Sequence, residues 1–274
     1  MISDPIGFLA YGAALAPNGK CKTFDAAANG LGRGEACGVL VLRADDGQSG
    51  SLTLRGAAVN QDGRSASMSA PNGPSQMEVL RAVLRQARGA ISRECSEAHG
   101  TGTALGDPIE VGALQTVFGY IHGMVLGALK SRLGHTEGAA GVMGVLKASM
   151  VLAKSSAPPN LHLWEANPKL DLEVFRVLLP SGIVGVKRWE ETLASGVSSF
   201  GMSGTNAHAV VSKSGLVRTT FDQAVVRYQH AVFPWWDTRD ASSIVLGELS
   251  SPMDAQQNVF VASLSGHEQQ GVRA

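Results

Sequence analysis

Neither charge is in excess in this chain of 274 residues, where 23 lysines and arginines face 23 aspartates and glutamates. Without a basic surplus there is no electrostatic case for nucleic acid or an anionic membrane as partner. Cysteine is scarce. Cys21, Cys37 and Cys95 are too scattered for a disulfide framework and lack the Cys/His spacing of a zinc site, so no metal is expected. A reducing, cytoplasmic setting is the default, with an organelle left open. The opening residues, Met1-Ile-Ser-Asp-Pro-Ile-Gly7, have neither the basic start nor the apolar run of a signal peptide. The longest apolar run, Gly138 to Ala153, contains Lys147 and many small residues, which suits a helix buried on all sides and no membrane span. No serine or cysteine stands in a convincing nucleophile setting.

What is present is apolar and rich in glycine. A hydrophobic content of 44% against 17% charged describes a globular chain able to bury a substantial core. The 33 glycines exceed the needs of turns, and imply close backbone packing or approach of a substrate to the main chain.

Along the chain, residues 1–34 read as a loop-rich opening segment, with turns at Pro17-Asn-Gly19 and Asn29-Gly30. Two strands are expected at 35–43 and 51–60, the first so continuously apolar that both its faces should be buried. A helix should start near Pro74, with Met77, Leu80, Val83, Leu84 and Ala87 as its apolar stripe. Asp107-Pro-Ile-Glu110 reads as a helix start, Asp107 as N-cap and Glu110 closing a capping box, for a helix reaching about Phe118. A buried strand over 124–129 then ends at Lys130, followed by the helix 138–153. Pro158-Pro159 breaks the pattern, and 160–190 looks irregular. Short strands at 196–200 and 207–212 bracket the turn Gly201 to Asn206. This alternation argues for an α/β architecture. The organisation expected is therefore 1–34, a main unit over 35–212, and a linker or tail over 213–274 carrying Phe233-Pro-Trp-Trp236.

Chemistry concentrates in Glu97-Ala-His-Gly-Thr-Gly-Thr103 and Lys130-Ser-Arg-Leu-Gly-His135. Two imidazoles and an ammonium among glycines suit a site where N–H donors meet a carbonyl oxygen. Cys21-Lys-Thr-Phe-Asp25, Val59-Asn-Gln-Asp-Gly63, Ala70-Pro-Asn-Gly-Pro74, Gly106-Asp-Pro-Ile-Glu110 and Ser199-Phe-Gly-Met-Ser-Gly-Thr-Asn-Ala-His208 complete a set of seven motifs in order. Over residues 15–212 the chain resembles the C-terminal half of a β-ketoacyl synthase, the ketosynthase domain of modular polyketide synthases and related fatty acid synthases.

That resemblance implies a thiolase-like layered α/β sandwich, of which this chain would hold the C-terminal half only. It implies acyl transfer by decarboxylative Claisen condensation between acyl and malonyl thioesters carried on the phosphopantetheine of an acyl carrier protein. No bound cofactor is implied. His99 and His135 fall on the two family histidines, and Lys130 on the family lysine, which orients His135 or Glu137 or assists the departing carboxylate. Glu137 is a second-rank catalytic candidate, with favourable placement at a helix N-terminus as its alternative. Thr101 and Thr103 match positions that hydrogen-bond the pantetheine arm, and Phe200 with Gly201 matches the wall of the acyl pocket. His122, His162, His230 and His267 lie outside any motif, and the strand setting of His208 suggests packing.

The family's nucleophilic cysteine belongs to the N-terminal half, which is expected to be absent here. Cys37 in a buried strand, Cys95 before the first histidine motif and Cys21 in a loop are poor replacements. The chain alone is therefore not expected to condense. Its alternatives are a malonyl-thioester decarboxylase or helper subunit, and a non-catalytic half-domain needing a partner half; a homodimer is the state implied for the intact family. A half-domain should expose apolar area along 35–60 and 124–130. A degradative thiolase is disfavoured, since the Gly201–Asn206 turn carries no cysteine.

Overall fold

The computed structural model describes residues 14–42, 44, 52–64, 70–87, 95–119, 123–186 and 192–214. Beyond Ser214 the expected tail, with its aromatic cluster, lies outside the described residues, as do His122, His230 and His267. Five strands form one mixed sheet: β1 (Leu52–Gln61), β2 (Cys95–Glu97), β3 (Val125–Gly127), β6 (Thr192–Phe200) and β7 (Thr205–Ser214), in the order β1-β7-β6-β2-β3. The pair β4 (Ser156–Ala157) and β5 (Val184–Gly185) stands apart from it. Pairing is antiparallel within β1-β7-β6 and parallel across β6-β2-β3.

Alternation along the strands divides the core between helices on the two faces. Helix α1 (Gly73–Gln86) starts where expected: Asn72 caps it, its side-chain oxygen accepting the Ser75 N–H, and Pro74 lies in the first turn. Helix α2 (Gly106–Phe118) packs with α1. Val83 of α1 meets Ala194 and Val210 on one face of the sheet. On the same side Leu114 and Phe118 of α2 join Phe24, Leu126 and Phe175 in the largest core. The opposite face carries Cys95, Leu193, Val197 and Val211, covered by Ala148, Val151 and Leu152 of α4 (Ala140–Lys154). The small residues read in the sequence let that helix sit close on the sheet. Between β3 and α4 come the four-residue helix α3 (Lys130–Leu133) and a 3₁₀ turn, Glu137–Ala139. Lys130 thus starts a helix and does not end a strand.

Two expectations need correction. Residues 35–42, the described part of the strand expected over 35–43, form no strand and are largely exposed, with Val39 at 68%, Val41 at 75% and Leu42 at 72%. No strand pairs with residues 35–42 among the described residues, although Gly34 just before them donates to the His135 carbonyl; the apolar sequence reads as buried, and a Cβ on Gly38 would meet Val142, Met143 and Leu146 of α4. Cys37 is accordingly exposed. Residues 124–130, expected to show apolar area, are covered instead. The irregular segment covers them: Leu178 exchanges backbone hydrogen bonds with Met124 and Leu126. Beside it the Asn160 amide donates to the Leu126 carbonyl and accepts the Ala128 N–H, completing the edge as another strand would. Leu54 and Val59 on β1 do remain exposed.

Candidate active site

Because β2, β3 and β6 run parallel, their carboxyl ends open at one edge of the sheet, the edge where α/β proteins place their ligands. His99 follows β2 by two residues, Lys130 follows β3 by three, and Phe200 closes β6. His135 arrives from the turn after α3. The imidazole rings of His99 and His135 meet edge to face, 5.3 Å between centroids at 83°, and His99 lies 5.6 Å from the Phe200 ring. The distant motifs therefore converge.

The backbone fixes the tautomer of both rings. The Phe200 N–H donates to His99 Nδ1 at 3.2 Å, and the Glu137 N–H donates to His135 Nδ1 at 2.9 Å. A nitrogen that accepts carries no proton, so in each neutral ring Nε2 bears the hydrogen and is a donor. Neutrality is enforced by the surroundings. Burial, then the charge of Lys130 and the neighbouring His135, hold His99 well below the ordinary imidazole value. Burial, Lys130 and Arg33 lower His135 to about 4.

The loop bearing His99 hangs on two buried carboxylates. Glu110 accepts the N–H groups of His99 at 2.7 Å and Gly100 at 2.9 Å, while Asp107 accepts those of Phe24 at 2.8 Å and Gly102 at 3.0 Å. Neither caps its helix: the N-cap of α2 is Leu105, without a side-chain bond, which corrects the capping-box expectation. These acids stand at a helix start because its positive end and the loop's free N–H groups face the same point. Burial raises Asp107 to about 6 and Glu110 to about 7, against the opposing pull of those N–H groups. Gly100 and Gly102 take φ of +48° and +77°, and a Cβ on Gly100 would stand 2.6 Å from that of Ala128. Only glycine fits such a turn.

Thr101 and Thr103 touch through their hydroxyls at 3.2 Å, and Thr103 Oγ1 also accepts the Gly106 N–H. Glu137, exposed at φ +48°, pairs through its carboxylate with Arg33 at 3.0 Å; its backbone, not its acid, reaches His135. Gly201 starts the exposed β6–β7 turn, which is pinned where Asn206 donates to Asp62 at 2.7 Å. Lys130 is buried at 7% exposure; burial lowers its ammonium below the ordinary range, opposed first by Glu97 and then by Glu110. His208 is buried, its Nδ1 against Ser198 Oγ at 3.0 Å, and burial depresses it to about 4. Cys21 bonds through Sγ to Gly32, the residue whose carbonyl receives the His135 N–H, and burial raises its thiol. Sequence reading misses Glu97 and Lys147, a buried ion pair at 2.5 Å, for the two are fifty positions apart and only the fold joins them. Among the described residues no cluster of His, Cys, Asp and Glu has the makings of a metal site, and no helix is long and apolar enough to cross a membrane.

Comparison with known proteins agrees with this geometry. The family model of the β-ketoacyl synthase C-terminal domain matches residues 52–164, and that of the N-terminal domain matches 3–46. The second match corrects the expectation that the N-terminal half is absent: the segment just before the C-terminal domain belongs to it. A phenolphthiocerol/phthiocerol polyketide synthase protein of Mycobacterium tuberculosis is 43% identical over 208 residues, 73% of this chain and 13% of that protein. A spectinabilin polyketide synthase system protein of Streptomyces orinoci is 42% identical over 229 residues, 78% of this chain and 6% of that one. Among solved structures, the ketosynthase from module 6 of the Bacillus subtilis bacillaene synthase aligns with a TM-score of 0.68 at 32% identity, covering 76% of this chain and 39% of that one. The oxazolomycin ketosynthase domain of Streptomyces albus gives 0.70 at 28%, covering 76% and 38%. The chain thus spans well under half the length of these relatives.

Proposed function

This chain belongs to the β-ketoacyl synthase family, as a ketosynthase of the polyketide synthase type, and from that premise we propose that it supplies the paired-imidazole half of a decarboxylative condensing site. The observation that carries the proposal is the capping of both Nδ1 atoms by backbone N–H groups, which turns both Nε2–H groups into donors. A malonyl thioester oxygen placed between them accepts from both. As the bond to the carboxylate breaks, its electron pair becomes the enolate, CO₂ departs, and the oxyanion is held by donors already in place. The enolate carbon then attacks an acyl thioester on a cysteine, and the thiolate leaves.

That cysteine is assigned to the part of the N-terminal half other than the matched residues 3–46. Cys21 and Cys95 are buried, and the raised Cys21 thiol resists ionisation. Lys130 contributes fixed charge near the departing carboxylate. The substrates are malonyl and acyl groups on the phosphopantetheine of an acyl carrier protein, with Thr101 and Thr103 along the arm and Phe200 and Gly201 beside the acyl chain. Glu137 acts through its backbone on His135. The exposed Val39, Val41 and Leu42 favour a further reading of assembly, in which the remainder of the N-terminal half covers this edge.

Incubation with malonyl carrier tests the proposal. CO₂ release, lost in His135→Ala, is expected from this chain, and ketoacyl product only when a cysteine-bearing N-terminal half is supplied. CO₂ without product even then would favour the decarboxylase reading. Product from the chain alone would overturn the assignment of the nucleophile.

A further inference from the structure

Glu97 closes β2 two residues before His99, and its carboxylate is bonded on both sides. Oε1 accepts the N–H of Leu129 at 2.5 Å, and Oε2 meets Lys147 Nζ at 2.5 Å. Side-chain exposure is 6% for Glu97 and 10% for Lys147, so both ions have lost most of their water. Such a pair persists only when close geometry offsets the cost of desolvation. The fold makes room for it. Gly127 stands opposite Glu97 in the β2–β3 register, and a Cβ there would lie 2.9 Å from Lys147 Nζ. Leu129, the residue bonded by Oε1, immediately precedes Lys130 at the start of α3. One carboxylate therefore ties the strand that carries His99 to the turn that presents Lys130.

We infer that Glu97 is a positioning residue for Lys130, with Lys147 as its counterion, the pair setting where the Lys130 ammonium stands relative to the two imidazoles. The inference rests on the functional reading above. Lys130 makes no ion pair of its own among the described residues. It faces Glu97 from β2, Glu110 and Asp107 from α2, Cys21 from the opening segment, and both imidazoles. After burial, Glu97 is the strongest of these influences and favours the charged form. Glu97→Gln keeps an acceptor for Leu129 but removes the charge that most favours the Lys130 ammonium and leaves Lys147 without its counterion. Lys147→Gln does the opposite.

The test is a titration of the full chain labelled with [¹³C]lysine, the Lys130 signal being assigned by its loss in Lys130→Met. Glu97→Gln should move the Lys130 midpoint down by about one pH unit and Lys147→Gln up by a similar amount, with the double variant returning toward wild type. In decarboxylation of malonyl carrier, Glu97→Gln should lower kcat about tenfold, with KM within about twofold, and its alkaline limb should move with the Lys130 signal. A purely structural Glu97 would reduce the folded fraction and leave Lys130 unmoved, so unchanged midpoints in all three variants overturn the inference. Should Glu97→Gln fail to fold, the upward shift in Lys147→Gln carries the test, and its absence overturns it. Shifts in a wild-type background that releases no CO₂ would uphold the positioning role and refute the functional reading.

Discussion

His99 and His135 stand ring against ring, yet the chain holds them by different means. His99 sits on a loop whose N–H groups end in the buried carboxylates of Glu110 and Asp107, and whose glycines admit no side chain. His135 is held by its own backbone: its N–H donates to Gly32, its carbonyl accepts from Gly34, and Glu137, two residues on, is braced by its half-exposed ion pair with Arg33. Equivalent tautomers can thus be reached by a deep polar network or by a shallow main-chain clasp. The first ties the histidine to the core and the second leaves it near solvent.

Breaking the deep side should cost most. Glu110→Ala strands two buried N–H groups at about 1–3 kcal/mol each, a total of roughly 2–6 kcal/mol that urea denaturation will read. Gly100→Ala should follow at about 2 kcal/mol or more, since its Cβ would collide with Ala128 and its φ is left-handed, whereas Gly138→Ala meets open space and should change little. Thermal unfolding of the two alanine variants compares the loop with the turn that follows His135.

pH sharpens the comparison next. Both rings must be neutral to offer Nε2–H beside Nδ1 acceptors. With His135 depressed to about 4 and His99 well below the usual value, charging of the rings should end CO₂ release only in an acid limb near 4, below any step from Glu110 at about 7 and Asp107 at about 6. Rings that charge near 6.5 would show that solvent reaches them. His208, depressed in the folded state, contributes stability that is whole above about 6.5 and declines as pH falls toward about 4, so denaturation at pH 7 and 5 should differ less in His208→Asn. The smallest effect belongs to the shallow side: Arg33→Ala removes a half-exposed ion pair and should cost under about 1 kcal/mol, more at low salt than at high.

The same contrast explains what is legible in the sequence. His99, His135 and Lys130 announce themselves because each lies inside a short run of glycines and polar residues, and the strand–helix alternation follows from local periodicity. Glu110 and Asp107 are visible but open to misassignment, because an acid at a helix start looks the same whether it caps the helix or holds a distant loop. The Glu97–Lys147 pair joins residues that no local pattern connects. Segment 35–42 misleads for a different reason: an apolar run signals that something should cover it and does not say whether the cover is present.

The central claim is that both rings are neutral, with the proton on Nε2. Side-chain ¹⁵N NMR of the histidines at pH 7, assigned through His99→Ala and His135→Ala, tests it directly. The account predicts, for each ring, a protonated Nε2 and a bare Nδ1. Either ring found as imidazolium, or with its proton on Nδ1, would contradict it.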